Sequence, residues 1–242
     1  MTTAPETRTV ELTTPDGPMA CYEAQPREEP LGGVIVIQEA FGVNDHIEDV
    51  TRRFASAGYH AVAPSLFHRV GGGTAPYGDF AKVIPLYEGL TDEEILHDVD
   101  AARSHLHAAG RGDEQIGVVG FCFGGRVTFL VALDHALGAA VGFYGGGIVT
   151  PRFPQFPGLI DRVSELKTPW LGLFGDRDES IPVEDVEKLR AALADAPVPT
   201  EIVRYPDAEH GFHCDVRDSY NPDAAKDAWA RTLAWFEHHL AG

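Results

Sequence analysis

Three residues of this chain have the type and setting for nucleophilic chemistry. Cys122 lies in Gly120-Phe121-Cys122-Phe123-Gly124-Gly125, after the apolar run Ile116-Gly117-Val118-Val119 and before Arg126–Leu133, which reads as a helix. A turn this tight between strand and helix requires Gly, or nearly so, around the nucleophile, because a side chain there would strike backbone. A free thiol is mostly protonated at neutral pH and needs a base within hydrogen-bond reach. His210, in Ala208-Glu209-His210-Gly211-Phe212, suits that task because an imidazole titrates near the working pH. A carboxylate would fix the tautomer of that imidazole and stabilise its cation. Asp176 and Asp178, both in Gly175-Asp176-Arg177-Asp178-Glu179-Ser180-Ile181-Pro182, compete for that place.

These residues need a scaffold that brings them together from distant parts of the chain. Thr9–Thr13 and Ala20–Ala24 flank the turn cluster Pro15-Asp16-Gly17-Pro18 and read as an antiparallel hairpin. Gly32–Gln38 is continuously apolar, the mark of a buried central strand. A helix over Asp45–Ala57 stops at Gly58, and His60–Ala63 is the next short strand. Residues 65–90 are irregular, with a helix in Tyr77–Leu90 interrupted near Pro85. Thr91-Asp92-Glu93-Glu94 has capping-box spacing and starts a helix that runs to about Ala109. Further strands fall at Ala139–Tyr144, Pro169–Phe174 and Glu201–Tyr205. The Gly- and Pro-rich loop Gly145–Pro157 follows the first of these. Helices cover about Val183–Leu193 and Asp223–Leu240. Strands alternating with helices imply a mostly parallel sheet flanked by helices on both faces, joined by right-handed crossovers. No repeat or long linker interrupts the pattern, so one domain over residues 1–242 is expected.

Ligands of such sheets bind beyond the carboxyl ends of the strands, where Cys122, Asp178 and His210 all fall. The order Cys122, Asp178, His210 is the nucleophile–acid–base order of the α/β-hydrolase fold. The acid loop of that fold reads Gly-x-x-Asp with Pro shortly after, which favours Asp178 and leaves Asp176 to cap loop backbone or face solvent. Two backbone N–H groups should form an oxyanion hole. One is that of Phe123, after the nucleophile and at a helix N-terminus; the other is that of Ala40, in the loop after Gly32–Gln38.

Bulk composition bounds the partners. The 242 residues are 44% hydrophobic and 23% charged, ordinary for a globular chain with a sizeable core. With 37 acidic against 19 basic residues, the net charge of −18 argues against nucleic acid and anionic membrane as partners. A small molecule remains, anionic or not, since a few local cations override a global field. No apolar run approaches membrane-spanning length, and Met1–Val10 lacks the pattern of a signal peptide. Cys21, Cys122 and Cys214 are an odd number without metal-ligand spacing; a disulfide framework is not expected, and a reducing cytoplasm suits a catalytic thiol. His46, His97, His105 and His107 lie on helical stretches without paired ligand spacing, so neither a metal site nor a cofactor is expected. The chain is read as a monomer or small homo-oligomer.

The chain resembles the dienelactone hydrolase (carboxymethylenebutenolidase) family, whose elbow nucleophile is Cys. Three segments carry the resemblance: Gln38-Glu39-Ala40-Phe41-Gly42-Val43-Asn44, the elbow around Cys122, and the acid loop with His210-Gly211-Phe212. The resemblance spans about Ile35 to Leu240. It implies that Glu39 contacts the resting thiol and helps to deprotonate it when substrate binds, a device that would keep the thiol from oxidation. It implies a hydrolase for a lactone or small ester, working through an acyl-enzyme thioester. A thioesterase, acyltransferase or peptidase on the same scaffold is the second reading, with residues 65–90 as a lid that selects larger acyl groups. A hydrolase-like binding protein without turnover is the third. The chain departs from the family where substrate carboxylate is held: the Arg four residues after the catalytic His is Cys214 here, and Tyr77–Leu90 contains Lys82 but no Arg. Arg69, Lys82 and Arg217 are the cations available instead, with Phe41, Tyr144 and His213 as candidate pocket lining.

Overall fold

The computed structural model describes residues 4–87 and 89–241. In chain order the elements are β1 (Glu6–Thr14), β2 (Gly17–Gln25), β3 (Gly33–Ile37), α1 (Asp45–Ser56), β4 (His60–Pro64), α2 (Phe80–Tyr87), α3 (Asp92–Ala108), β5 (Ile116–Phe121), α4 (Phe123–Asp134), β6 (Ala139–Phe143), β7 (Trp170–Gly175), α5 (Val183–Ala192), β8 (Thr200–Tyr205) and α6 (Pro222–His239). The strands form one sheet in the order β1-β2-β4-β3-β5-β6-β7-β8. β1 pairs antiparallel with β2, and β2 with β4; all pairings from β4 to β8 are parallel. This is the α/β-hydrolase architecture that the element pattern predicts.

Burial explains the sequence of the strands. Every residue of β3, β5, β6 and β7 is buried, as strands covered on both faces require, and their sequences are apolar without alternation. β1, at the edge, buries only Leu12 and Thr14 and carries charge on its open side. On one face α1 meets α6, where Phe54 packs against Trp229 and Phe236 at centroid separations of 4.6 and 5.8 Å. On the other face α3 and α4 pack on each other and on the strands.

Helix starts follow the signals in the chain. The Thr91 hydroxyl accepts the Glu94 N–H while Glu94 reaches back to the Thr91 N–H. The Asn44 and Asn221 side chains accept the N–H groups of Ile47 and Ala224 and so cap α1 and α6, and Pro222 occupies the first position of α6. One expectation is corrected. Pro85 does not interrupt a helix but lies inside α2, which runs unbroken over Phe80–Tyr87. The ring removes a single donor near the end of a short helix, and the buried Val83 and Tyr87 hold both sides of it. Phe80 and Ile84 on the same helix stay exposed, at 62% and 56%.

Candidate active site

The elbow begins with the meeting of β5 and α4. Cys122 stands between them at φ 55 and ψ −113, a left-handed backbone that a non-glycine residue holds at a cost of about 1–3 kcal/mol. The surrounding structure over-determines it: the Cys122 N–H donates to Phe143 at 3.0 Å, and the Gly125 N–H returns to the Cys122 carbonyl at 3.0 Å. The flanking glycines answer to sterics. A Cβ on Gly124 would lie 2.5 and 2.6 Å from the carbonyl oxygens of Ile37 and Gln38, and one on Gly125 would lie 2.5 Å from that of Phe143. The helix therefore abuts the ends of β3 and β6 more closely than any side chain permits.

Asp178 and His210 follow β7 and β8, the next strands outward. Asp178 is buried, and its Oδ2 lies 2.6 Å from His210 Nδ1. Its other oxygen accepts the Ser180 N–H at 2.8 Å and the Ser180 hydroxyl at 2.5 Å. Asp176 instead forms a two-pronged ion pair with Arg204 at 2.7 and 2.8 Å, so of the two acids Asp178 is the one beside His210. Cys122 and His210 open on one cavity of about 940 Å³. Burial alone would push the Cys122 thiol up, but the adjacent His210 imidazole outweighs it and holds the thiol below its ordinary value. Burial alone would likewise lower His210; the Cys122 and Asp178 charges reverse that and raise it. Asp178 itself pays for burial yet is held low by His210 and Ser180. Together these shifts favour a thiolate–imidazolium pair.

The N–H groups of Ala40 and Phe123 have no acceptor among the described residues, and both residues line the cavities at Cys122. Two free donors beside the pocket of the thiol are what an oxyanion needs.

Glu39 is fully buried at the end of β3. Its Oε1 lies 3.5 Å from Arg217 Nη1, and its Oε2 has no partner. Tyr77 stands beside it; burial, then the Glu39 charge, push that phenol up, so it remains a donor. The resemblance implies contact between Glu39 and the resting thiol. In this structure Glu39 pairs with Arg217, and both the Glu39 charge and the His210 imidazole act on the thiol, in opposite directions.

The six predicted substrate residues separate. Phe41 lines the large cavity, packed on Tyr77 with ring centroids 4.8 Å apart, and Arg217 lines it as well. The other four lie elsewhere. Arg69 is held by Asp98 at 2.7 and 2.9 Å and by Asp16 at 2.7 and 3.0 Å, away from the cavities at Cys122. Lys82 is exposed on α2 and pairs with Asp79 at 3.2 Å. His213 is buried beneath the elbow, stacked on Phe121 at 5.3 Å, because the chain reverses at Gly211 with φ 80 and turns the following residues inward. Tyr144 is wholly buried and meets His210 edge-on at 5.1 Å, so it supports the base from below. Cys214 also turns inward, with its sulfur 3.4 Å from Tyr77 Oη.

Two residues of the site escaped the sequence reading. Ser180 orients Asp178, and its hydroxyl lies 3.3 Å from His210 Nδ1. Arg152, in the loop after β6, donates to the Ser180 carbonyl and lines both the large cavity and an apolar one of about 170 Å³ formed by Val83, Ile84, Tyr87, Phe123, Phe153 and Phe156. The available signal was a lone cation in a glycine-rich loop at the carboxyl edge of the sheet.

Sheet order, elbow and a crevice at the carboxyl edge define an α/β-hydrolase. The chain belongs to the dienelactone hydrolase family, whose model matches residues 19–240. It is 41% identical over 230 residues to the "Putative carboxymethylenebutenolidase" of Escherichia coli K12, covering 91% of this chain and 83% of that one. A Bradyrhizobium relative named "Probable 2-oxo-3-(5-oxofuran-2-ylidene)propanoate lactonase" is 34% identical over 215 residues, covering 88% of this chain and 86% of that one. The crystal structure of a "Putative Dienelactone Hydrolase" from Klebsiella pneumoniae superposes with a TM-score of 0.90 at 39% identity, covering 97% of this chain and 99% of that one. The protein is thus a hydrolase of the dienelactone hydrolase type. None of its described helices is long and apolar enough to cross a membrane.

Proposed function

We propose that this protein opens a lactone, or cleaves a small carboxylic ester, through Cys122, His210 and Asp178. The observation that carries the proposal is the elbow thiol sharing one cavity with an imidazole that Asp178 holds at 2.6 Å. The Cys122 thiolate attacks the carbonyl carbon, and the carbonyl π pair moves to oxygen, where the N–H groups of Ala40 and Phe123 receive it. Collapse expels the alkoxide, which takes the proton of the His210 imidazolium and leaves a thioester on Cys122. In a lactone that leaving oxygen stays tethered to the acyl chain. Neutral His210 then takes a proton from water as the water attacks the thioester, and the thiolate departs with the acid released.

The pocket favours a substrate with an apolar body and an anionic end. The smaller cavity is walled by aromatic and aliphatic side chains, and Arg152 stands at its junction with the larger one. A carboxylate there would gain a charge-assisted pair, and the Bradyrhizobium relative is named for a lactone bearing a carboxylate. The direct test is turnover of dienelactone and p-nitrophenyl acetate by wild type and Cys122→Ala. Loss of the nucleophile should lower kcat by about 1,000-fold or more for both substrates. Unchanged turnover in the variant would overturn the proposal.

A further inference from the structure

A second cluster of chemically capable side chains lies at the opposite edge of the sheet. His60 opens β4, so it sits at the amino ends of the parallel strands, whereas Cys122, Asp178 and His210 follow carboxyl ends. Glu23 on β2, His60 on β4 and His105 on α3 present one ligand atom each, all within 4.8 Å of one another. Glu23 and His60 are buried, and His105 is about one-quarter exposed, with its side chain at 23%. The sequence showed His105 only as a helical residue without a paired ligand; the other two come from elements distant along the chain.

The hydrogen bonds of this cluster conflict. Glu23 Oε1 lies 2.6 Å from His60 Nε2, 2.8 Å from His105 Nε2 and 2.9 Å from Gln25 Nε2. Gln25 Nε2 is also 3.1 Å from His60 Nε2. If His60 carries its proton on Nε2, that N–H satisfies Glu23 but faces the Gln25 amino group, donor to donor. If Nε2 is bare, it accepts from Gln25 but faces an ionised carboxylate oxygen, lone pair to lone pair. Turning the Gln25 carboxamide over removes the first conflict and sets its oxygen against Glu23 Oε1. With Glu23 ionised, no assignment of protons satisfies the Glu23–His60, Glu23–Gln25 and Gln25–His60 contacts together. A cation at the centre would, once the Gln25 carboxamide is turned, because every inward atom then acts as a lone-pair donor.

We propose that Glu23, His60 and His105 form a binding site for a divalent transition-metal ion, zinc by ligand type. Two imidazole Nε2 atoms and one carboxylate oxygen make a zinc donor set, and the turned Gln25 carboxamide oxygen, or water at the exposed His105 side, supplies a fourth ligand. The imidazole protons then reside on Nδ1. Arg8 already holds Glu23 Oε2, the outer-sphere contact that orients a monodentate carboxylate ligand. The separations of 2.6 Å to His60 and 2.8 Å to His105 are shorter than the edges of a zinc tetrahedron, so on binding Glu23 Oε1 draws back from both imidazoles and His105, the exposed member, moves outward. Such an ion would tie β2, β4 and α3 together, remote from Cys122.

The test is zinc titration of metal-stripped, full-length Cys122→Ala protein against a chromophoric chelator, with and without His105→Ala. The Cys122→Ala background removes the elbow thiol as a competing ligand. One ion per chain is expected, bound at least about 10-fold more weakly without His105, with zinc-edge absorption showing nitrogen and oxygen neighbours at about 2.0–2.2 Å and no sulfur. With Cys122 intact, His105→Ala should hydrolyse p-nitrophenyl acetate at the wild-type rate, which separates this site from the esterase chemistry. No binding at 100-fold excess of zinc over protein, equal binding without His105, or sulfur in the zinc shell would each overturn the assignment.

Discussion

Asp178 holds His210 by one carboxylate oxygen at 2.6 Å while its other oxygen is fully engaged by Ser180. The acid therefore has a single orientation, and through it the imidazole has one. Asp178→Asn would keep the shape but present an N–H donor or a neutral oxygen to Nδ1. An expected fall in kcat of about 1,000- to 10,000-fold, with the fold intact by circular dichroism, checks this role.

The pairing of Cys122 with His210 sets the pH dependence of the thiol. Its folded-state pKa is lowered because the imidazolium outweighs the burial penalty, while that of His210 is raised. The ion pair therefore exists between the lowered thiol value and the raised imidazole value. The rate of alkylation by iodoacetamide should rise with a midpoint below that of a free thiol. In His210→Ala the burial penalty remains without its counterion, and the midpoint should move above the free-thiol value. A midpoint indifferent to His210 would show that the two groups do not communicate.

Arg152 is the cation at the junction of the two cavities. Replacing it by Ala should raise KM for a carboxylate-bearing lactone by about 10- to 100-fold, the worth of one charge-assisted hydrogen bond. Hydrolysis of p-nitrophenyl acetate, which carries no carboxylate, should stay within about 2-fold. Equal losses for both substrates would mean that Arg152 supports the loop and not the anion.

Gly124 permits α4 to rest on the ends of β3. A Cβ there meets two carbonyl oxygens at 2.5 and 2.6 Å, both backbone and unable to yield alone. Gly124→Ala should lower Tm by at least about 4 °C, and it should cost activity as well because the loop carrying Glu39 and Ala40 must shift. A variant with wild-type Tm would show that the helix start is more compliant than its contacts suggest.

Buried His213 gives the fold an acid sensitivity separate from catalysis. Burial, with His46 and Arg53 nearby, holds it down to about 3, whereas an unfolded chain protonates its histidine at about 6.5. The unfolded state thus binds more protons between these values. The stabilisation is complete above the unfolded value and is lost as pH falls from there toward 3. His46, lowered first by its own burial, adds in the same direction. Thermal melts from pH 7.5 to 4.5 should show Tm falling on acidification, with a shallower slope in His213→Phe, which keeps the stack on Phe121. Parallel slopes would remove His213 as the cause.

Much of the site was legible because its signals are local. The elbow around Cys122 is read from consecutive glycines between an apolar strand and a helix, since backbone sterics act over a few residues. The capping box at Thr91 and the continuous burial of β3 and β5 are read the same way, from hydrogen-bond spacing and from covered strand faces. The order Cys122, Asp178, His210 followed from where each residue stands relative to a strand end. Only the tertiary structure decided where side chains of long reach would go. Arg69 went to Asp98 and Asp16, Arg217 to Glu39, and Arg152 to the junction of two cavities. His213 turned inward within three residues of His210, which lines the cavity of Cys122. Glu23, His60 and His105 met although 82 positions separate the first from the last. Local sequence limits backbone shape through nearby sterics and hydrogen bonds; the partner of a charged or polar side chain is chosen by which distant elements the sheet order brings within a few ångströms.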